Sequence, residues 1–106
     1  MTITTEQRQR WADRQASAGP LSGNIPERIH RAMVEHIERG RPCGHFTTAV
    51  LDNDLKEAVG RADDENIVVL PLIVSWLYNN APSGCWGSRE KRKDWQLRGG
   101  LCGEGG

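Results

Sequence analysis

Residues 67–78, IVVLPLIVSWLY, are the only stretch of this chain apolar enough to lie at the centre of a domain, and no charged residue interrupts them. Acids precede them (Asp63, Asp64, Glu65), and a polar turn, Asn79-Asn80-Ala81-Pro82, follows. Two readings compete. The β-branched start, Ile67-Val68-Val69, and Pro71, which would remove a helical hydrogen bond, suit a buried strand. An N-cap at Asp63 or Asp64, acids in the first turn, and a 3–4 spaced face of Val69, Leu72, Ile73, Trp76 and Leu77 suit a helix. No second convincing strand is present, and a lone strand cannot pair its backbone groups. The stretch is therefore expected as a helix over residues 65–79, bent near Pro71, and as core rather than as a site.

The rest of the chain reads as short helices around it. Thr4 opens a T-x-x-Q capping pattern with Gln7, and a weakly amphipathic helix to Ala16 follows with Trp11 as its one large apolar residue. Residues 18–23 are linker by composition. Asn24 suits an N-cap with Pro26 in the first turn, and Ile25, Ile29, Met33 and Ile37 recur every four residues until Gly40 and Pro42 stop the helix. Phe46, Ala49 and Val50 share one face of a two-turn helix over 45–51. Asp52 or Asn53 then caps a helix carrying Leu55, Ala58, Val59 and Ala62, nearly continuous with the one before. Residues 83–87 form a loop, Ser88 caps a last helix to Leu97, and the glycine-rich end is expected to be disordered. The expected fold is all-α, a compact bundle of five to six short helices. Its parts are an arm over 1–23 with a weak helix and linker, an all-α domain over 24–97, and a Gly-rich tail over 98–106.

With 106 residues and a formal net charge of zero, the chain is one small domain with no gross attraction to nucleic acid or membrane. Its N-terminus lacks a charged region followed by an apolar run, and residues 67–78 are too short to cross a bilayer. Three cysteines without an export signal read as reduced thiols, which places the chain in the cytoplasm.

Charge is unevenly distributed. Asp52, Asp54, Glu57, Asp63, Asp64 and Glu65 face only Lys56 and Arg61 in the middle of the chain, whereas residues 89–98 are basic. Acids on neighbouring short helices suit a basic surface on a partner protein, with Asp52, Asp54, Glu57 and Asp64 as the expected contacts; a solvated face with helix caps is the plainer account. The basic stretch Arg89, Lys91, Arg92 and Lys93, with Trp95, suits phosphate neutralisation and base stacking. There the plainer account is a solvated helix whose Trp95 packs on the core.

The chemistry-bearing residues are sparse. Cys43, His45, Cys85 and Cys102 supply four ligands in number, but no C-x-x-C or H-x-x-x-H spacing organises them, so no metal or other cofactor is expected. His30 and His36, six apart, do not share a helix face and read as solvated. No nucleophile–base pair stands out, so no catalytic residue is assigned. Tryptophan is over-used, at four residues. Trp76 reads as core; Trp86, between glycines, reads as a plug on the core or an exposed interface anchor.

The order of short motifs Ile25-Pro26-Glu27, Ala49-Val50-Leu51, Asn53-Asp54-Leu55, Ala62-Asp63 with Asn66, Ile73-Val74, Tyr78-Asn79 and Cys85-Trp86-Gly87-Ser88 resembles a family of small proteins of bacteriophages, prophages and other bacterial mobile elements. The resemblance covers residues 25–95 and carries over no catalytic residue. The family often has glycine where this chain has Cys43, which weakens zinc and thiol roles further. It implies a non-enzymatic protein of the bacterial host cytosol that binds a host protein or complex, including inhibitors of the anti-CRISPR and other anti-defence types. That implication is associative, since a fold class does not specify a function. The alternative is a small nucleic-acid-binding module built on the basic C-terminal helix.

Overall fold

The computed structural model describes residues 5–16 and 25–103. Along them run α1 (Thr5–Ala16), α2 (Glu27–Arg39), α3 (His45–Leu51), α4 (Leu55–Arg61), α5 (Asp64–Asn80) and α6 (Arg89–Arg98), with 3-10 turns at Ser83–Cys85 and Gly100–Cys102. The chain is all-α, with no strand among the described residues. None of the described helices is long and apolar enough to cross a membrane. The expected cap at Thr4, the linker at 18–23, the cap at Asn24 and the last three residues lie outside the described residues.

The central stretch is helical for the reasons its flanks supply. Asp63 is the N-cap, its Oδ1 accepting from the Asn66 N–H at 2.7 Å, and Asp64 and Glu65 occupy the first turn. Pro71 sits inside the helix on its exposed side, where water can reach the Ile67 carbonyl that proline leaves without its helical donor. At the other end the Asn79 and Asn80 amides donate to the carbonyls of Ser75 (2.8 Å) and Trp76 (2.9 Å), pairing acceptors of the final turn.

Ile29, Met33 and Ile37, spaced by four, turn one face of α2 into the core, joined by Ile25 just ahead of the helix. The helix begins one residue later than the sequence suggests, with Pro26 as its N-cap. It stops at Gly40, whose φ of 68° gives the left-handed conformation that returns its N–H to the carbonyls of Glu35 and His36. Trp76 lies beneath α2, with His30 edge-on at 5.2 Å and Trp11 of α1 at 6.0 Å, both rings close to perpendicular to the indole. Trp11 is buried and its Nε1 donates to Glu38 at 3.0 Å, so this single tryptophan anchors α1 to the bundle.

Two local expectations change. Asp52 does not cap α4; it ends α3, and the chain reverses through Asn53 at φ 59° to Asp54, whose Oδ1 accepts from the Glu57 N–H. The glycine-rich end is not disordered from residue 98. Gly100 and Leu101 are buried in a 3-10 turn packed against the end of α2. Glycine makes that contact possible: a Cβ on Gly100 (φ 73°) would stand 2.6 Å from the backbone of Glu38, Arg39 and Gly40.

Candidate functional site

Leu70, Ile73, Trp76 and Leu77 of α5 enter the interior, with Val69 and Leu72 half-buried against it, whereas Ile67, Val68, Pro71, Val74 and Tyr78 are exposed. Ile67, Pro71, Val74 and Tyr78 follow steps of four, three and four, which keeps them on one line of a helix. All are exposed, Tyr78 the most (81%), and Val68 beside them is 76% exposed. No charged residue occurs from 66 to 88, so this line has no charge of its own anywhere along it. A helix apolar on every side is normally buried on every side; α5 is not. Reading residues 67–78 only as core missed this half of the helix.

Beside the line lies a slot of about 50 Å³ between α3, α4 and α5. Ala49, Val50, Leu55, Ala58, Leu70, Val74 and Trp86 form its apolar walls, and Asn53 and Asp54 its polar edge. Trp86 is half-buried against the core, held where the Gly87 N–H donates to the Leu51 carbonyl at 2.8 Å. Its contact with the core is that of a plug, and it also forms part of the slot wall. Leu55 is 71% exposed at the slot's mouth.

The four acids expected to contact a partner divide into two pairs. Asp52 is withdrawn from the surface: Arg92 grips it through Nε at 2.7 Å and Nη2 at 3.0 Å, and the two side chains keep only 15% and 13% of their exposure. This hydrogen bond to Asp52, outweighing burial, raises the Arg92 pKa above its ordinary value. Glu57 is exposed but engaged with Arg61 at 3.2 Å. Asp54 and Asp64 are exposed, and neither has an ion-pair partner among the described residues. Asp54 edges the slot; Asp64 stands one turn ahead of Ile67 and Val68 on α5. The neighbouring Asp63 and Glu65 are both taken by Arg28, at 3.1 and 3.0 Å.

The nucleic-acid surface loses two of its five members. Arg92 is the partner of Asp52. Trp95 is buried, its Nε1 donating to the carbonyls of His36 (3.0 Å) and Ile37 (3.1 Å), so its ring offers no face for a base. Arg89, Lys91 and Lys93 remain exposed on α6 beside Glu90 and Asp94. Sequence alone could not locate the ring, because burial of Trp95 depends on where the end of α2 arrives.

Nor do the thiols and imidazoles assemble into a reactive group. Burial pushes the Cys43 thiol up to about 11 and the Cys85 thiol up to about 12, so both are protonated at neutral pH and weak nucleophiles. His45 and Cys102 are exposed, and no group of three or more His, Cys, Asp or Glu that could hold a metal occurs among the described residues. His36, expected in solvent, is fully buried: its Nε2–H donates to the Cys85 carbonyl at 2.9 Å and Nδ1 has no partner among the described residues. His30 is half-buried against Trp76. Burial lowers the pKa of both histidines.

Comparison with protein-family models, curated proteins and solved structures found no match to this chain.

Proposed function

We propose that this chain is a non-enzymatic interaction protein that binds and modulates or inhibits a bacterial host protein through the outer face of α4 and α5. One observation carries the reading: an uncharged apolar line on α5, continuous with the slot and flanked by the carboxylates of Asp54 and Asp64, which have no ion-pair partner among the described residues. Exposed apolar residues that meet along one face, rather than singly, mark interaction sites. The protonated thiols, the buried position of His36 and the half-buried position of His30 also favour binding over catalysis. The resemblance of residues 25–95 to phage and mobile-element proteins supplies the setting, in which an anti-defence inhibitor of the anti-CRISPR type is one form of this function.

The acidic surface expected from sequence is thereby narrowed to Asp54 and Asp64 and gains an apolar centre. Affinity capture from host extract, comparing the unaltered protein with Val74→Glu and Leu55→Glu, tests the reading. A specific partner is expected with the unaltered protein and a loss of at least about tenfold with either variant. Circular dichroism confirms that the variants stay folded. A partner captured equally by all three proteins rules this face out.

A further inference from the structure

Resting on that reading, we infer that the occupant of this face is a single amphipathic helix of the partner, about three turns long, apolar on one side and cationic at both ends. Its length follows from the line it lies on. Ile67 to Tyr78 is twelve residues of helix, a rise of roughly 16 Å, with no charged residue of its own along the way. An extended strand would need unpaired backbone groups beside it to bond to, whereas a helix face offers only side chains, which suffice for helix-in-groove recognition.

The slot limits what can enter. At about 50 Å³ it is a third of the roughly 150 Å³ cavity that admits benzene, so it receives the tip of one aliphatic side chain and not a ring. The charges orient the helix. Asp54 edges the slot that Leu70 and Val74 line, and Asp64 lies six to ten residues before them, roughly 9–15 Å along the α5 axis. Cations about six to ten residues apart on the incoming helix meet both carboxylates while the apolar residues between them cover the line. The nearby cations do not compete: Arg28 and Arg61 are held by Asp63, Glu65 and Glu57, Arg10 near Tyr78 is paired with Glu6, and Lys56 does not line the slot.

A second copy of the chain fits less well. The basic helix α6 carries cations, but Leu97 is its only large exposed apolar side chain, so it cannot supply the complementary stripe.

The test is selection from a displayed library of randomised 14-residue peptides, followed by fluorescence anisotropy of a selected peptide in 50 mM salt. Recovered sequences are expected to combine apolar residues at i, i+3 or i+4, and i+7 with Lys or Arg near both ends. The double variant Asp54→Asn/Asp64→Asn, which keeps a side-chain cap on α4, is expected to bind about five- to tenfold more weakly. Val74→Glu is expected to abolish binding. Recovered peptides that are acidic or lack the stripe, an empty selection, or full affinity in the double variant overturns the proposal. So does sedimentation showing a dimer that Val74→Glu dissociates, since a second copy then covers the face. If the peptides fail while host capture still disappears in Val74→Glu, the helical cationic occupant is wrong and the interaction face stands. If capture is unchanged in that variant, the face itself is wrong.

Discussion

Removing the carboxylate of Asp52 should unfold this domain far more readily than removing any other acid in the acidic segment. The pair with Arg92 joins the end of α3 to α6, forty residues apart in sequence, through two hydrogen bonds of 2.7 and 3.0 Å. An exposed pair contributes about 0–1 kcal/mol, and truncating one partner of a fully buried pair costs about 3–5 kcal/mol. With 15% and 13% of the side chains still exposed, Asp52→Ala belongs between these limits, nearer the buried one, at about 2–3 kcal/mol. Arg92 would keep only its contact with Gln96 at 3.3 Å. For a domain of this size that energy lowers Tm by on the order of 10 °C. The assay is urea unfolding followed by circular dichroism, with Asp52→Ala, Arg92→Met and the double variant as a cycle. A coupling above about 1 kcal/mol is expected, because the double variant no longer strands a charge. The loss should persist at 0.5 M salt, since a mostly buried pair is weakly screened. A cost for Asp52→Ala below about 0.5 kcal/mol, or strictly additive single effects, would refute the assignment of this pair as a structural clasp.

Two further outcomes follow from packing at the end of α2. Gly100→Ala combines a positive φ with a Cβ 2.6 Å from backbone atoms and should cost at least about 2 kcal/mol in denaturant unfolding. Gly44→Ala, with nothing within 4 Å, should stay within about 0.5 kcal/mol. Acid should destabilise the fold through His36 and His30, whose folded pKa values lie below 6.5. The unfolded chain then binds more protons than the native one, so stability is full above pH 6.5 and declines as pH falls through and below it, levelling off beneath the folded values. Denaturant unfolding from pH 7.5 to 5 should show this decline, and His36→Gln should flatten it; an unchanged slope would remove His36 from the account.

The fold was legible wherever one local rule decided the outcome. Four-residue spacing placed Ile29, Met33 and Ile37 in the core, Ser88 and Asp63 announced their helices, and the lack of a partner strand decided the central stretch. What could not be read depended on contacts between distant segments. Asp52 looks like a helix cap until α6 brings Arg92 to it. His36 looks solvated until the 3-10 turn at Ser83–Cys85 presents a carbonyl. Gly99 and Gly100 look like a disordered tail, since nothing local indicates that a glycine backbone will be pressed against Arg39. The candidate face failed for a different reason. The helical period of residues 67–78 identifies two apolar sides, but only the number of neighbouring helices decides how many of them are covered.

That neutral overall charge conceals how the folded chain uses its cations. Arg92 is drawn to Asp52, Arg28 to Asp63 and Glu65, and Arg61 to Glu57. Each pairing takes an arginine and its carboxylate out of play near α4 and α5, which leaves Asp54 and Asp64 as carboxylates beside the apolar line without an ion pair among the described residues. On this outer face Val68, beside the line, and Tyr78, at its end, contribute little to the core, since they keep about three-quarters or more of their surface in water. Folding alone therefore gives no reason for them to be apolar, and polar replacements there would raise solubility at almost no cost in stability. Substitution of Val68 or Tyr78 by lysine accordingly separates the two demands on α5: a loss of partner binding with unchanged unfolding would assign the inner half of the helix to stability and the outer half to recognition.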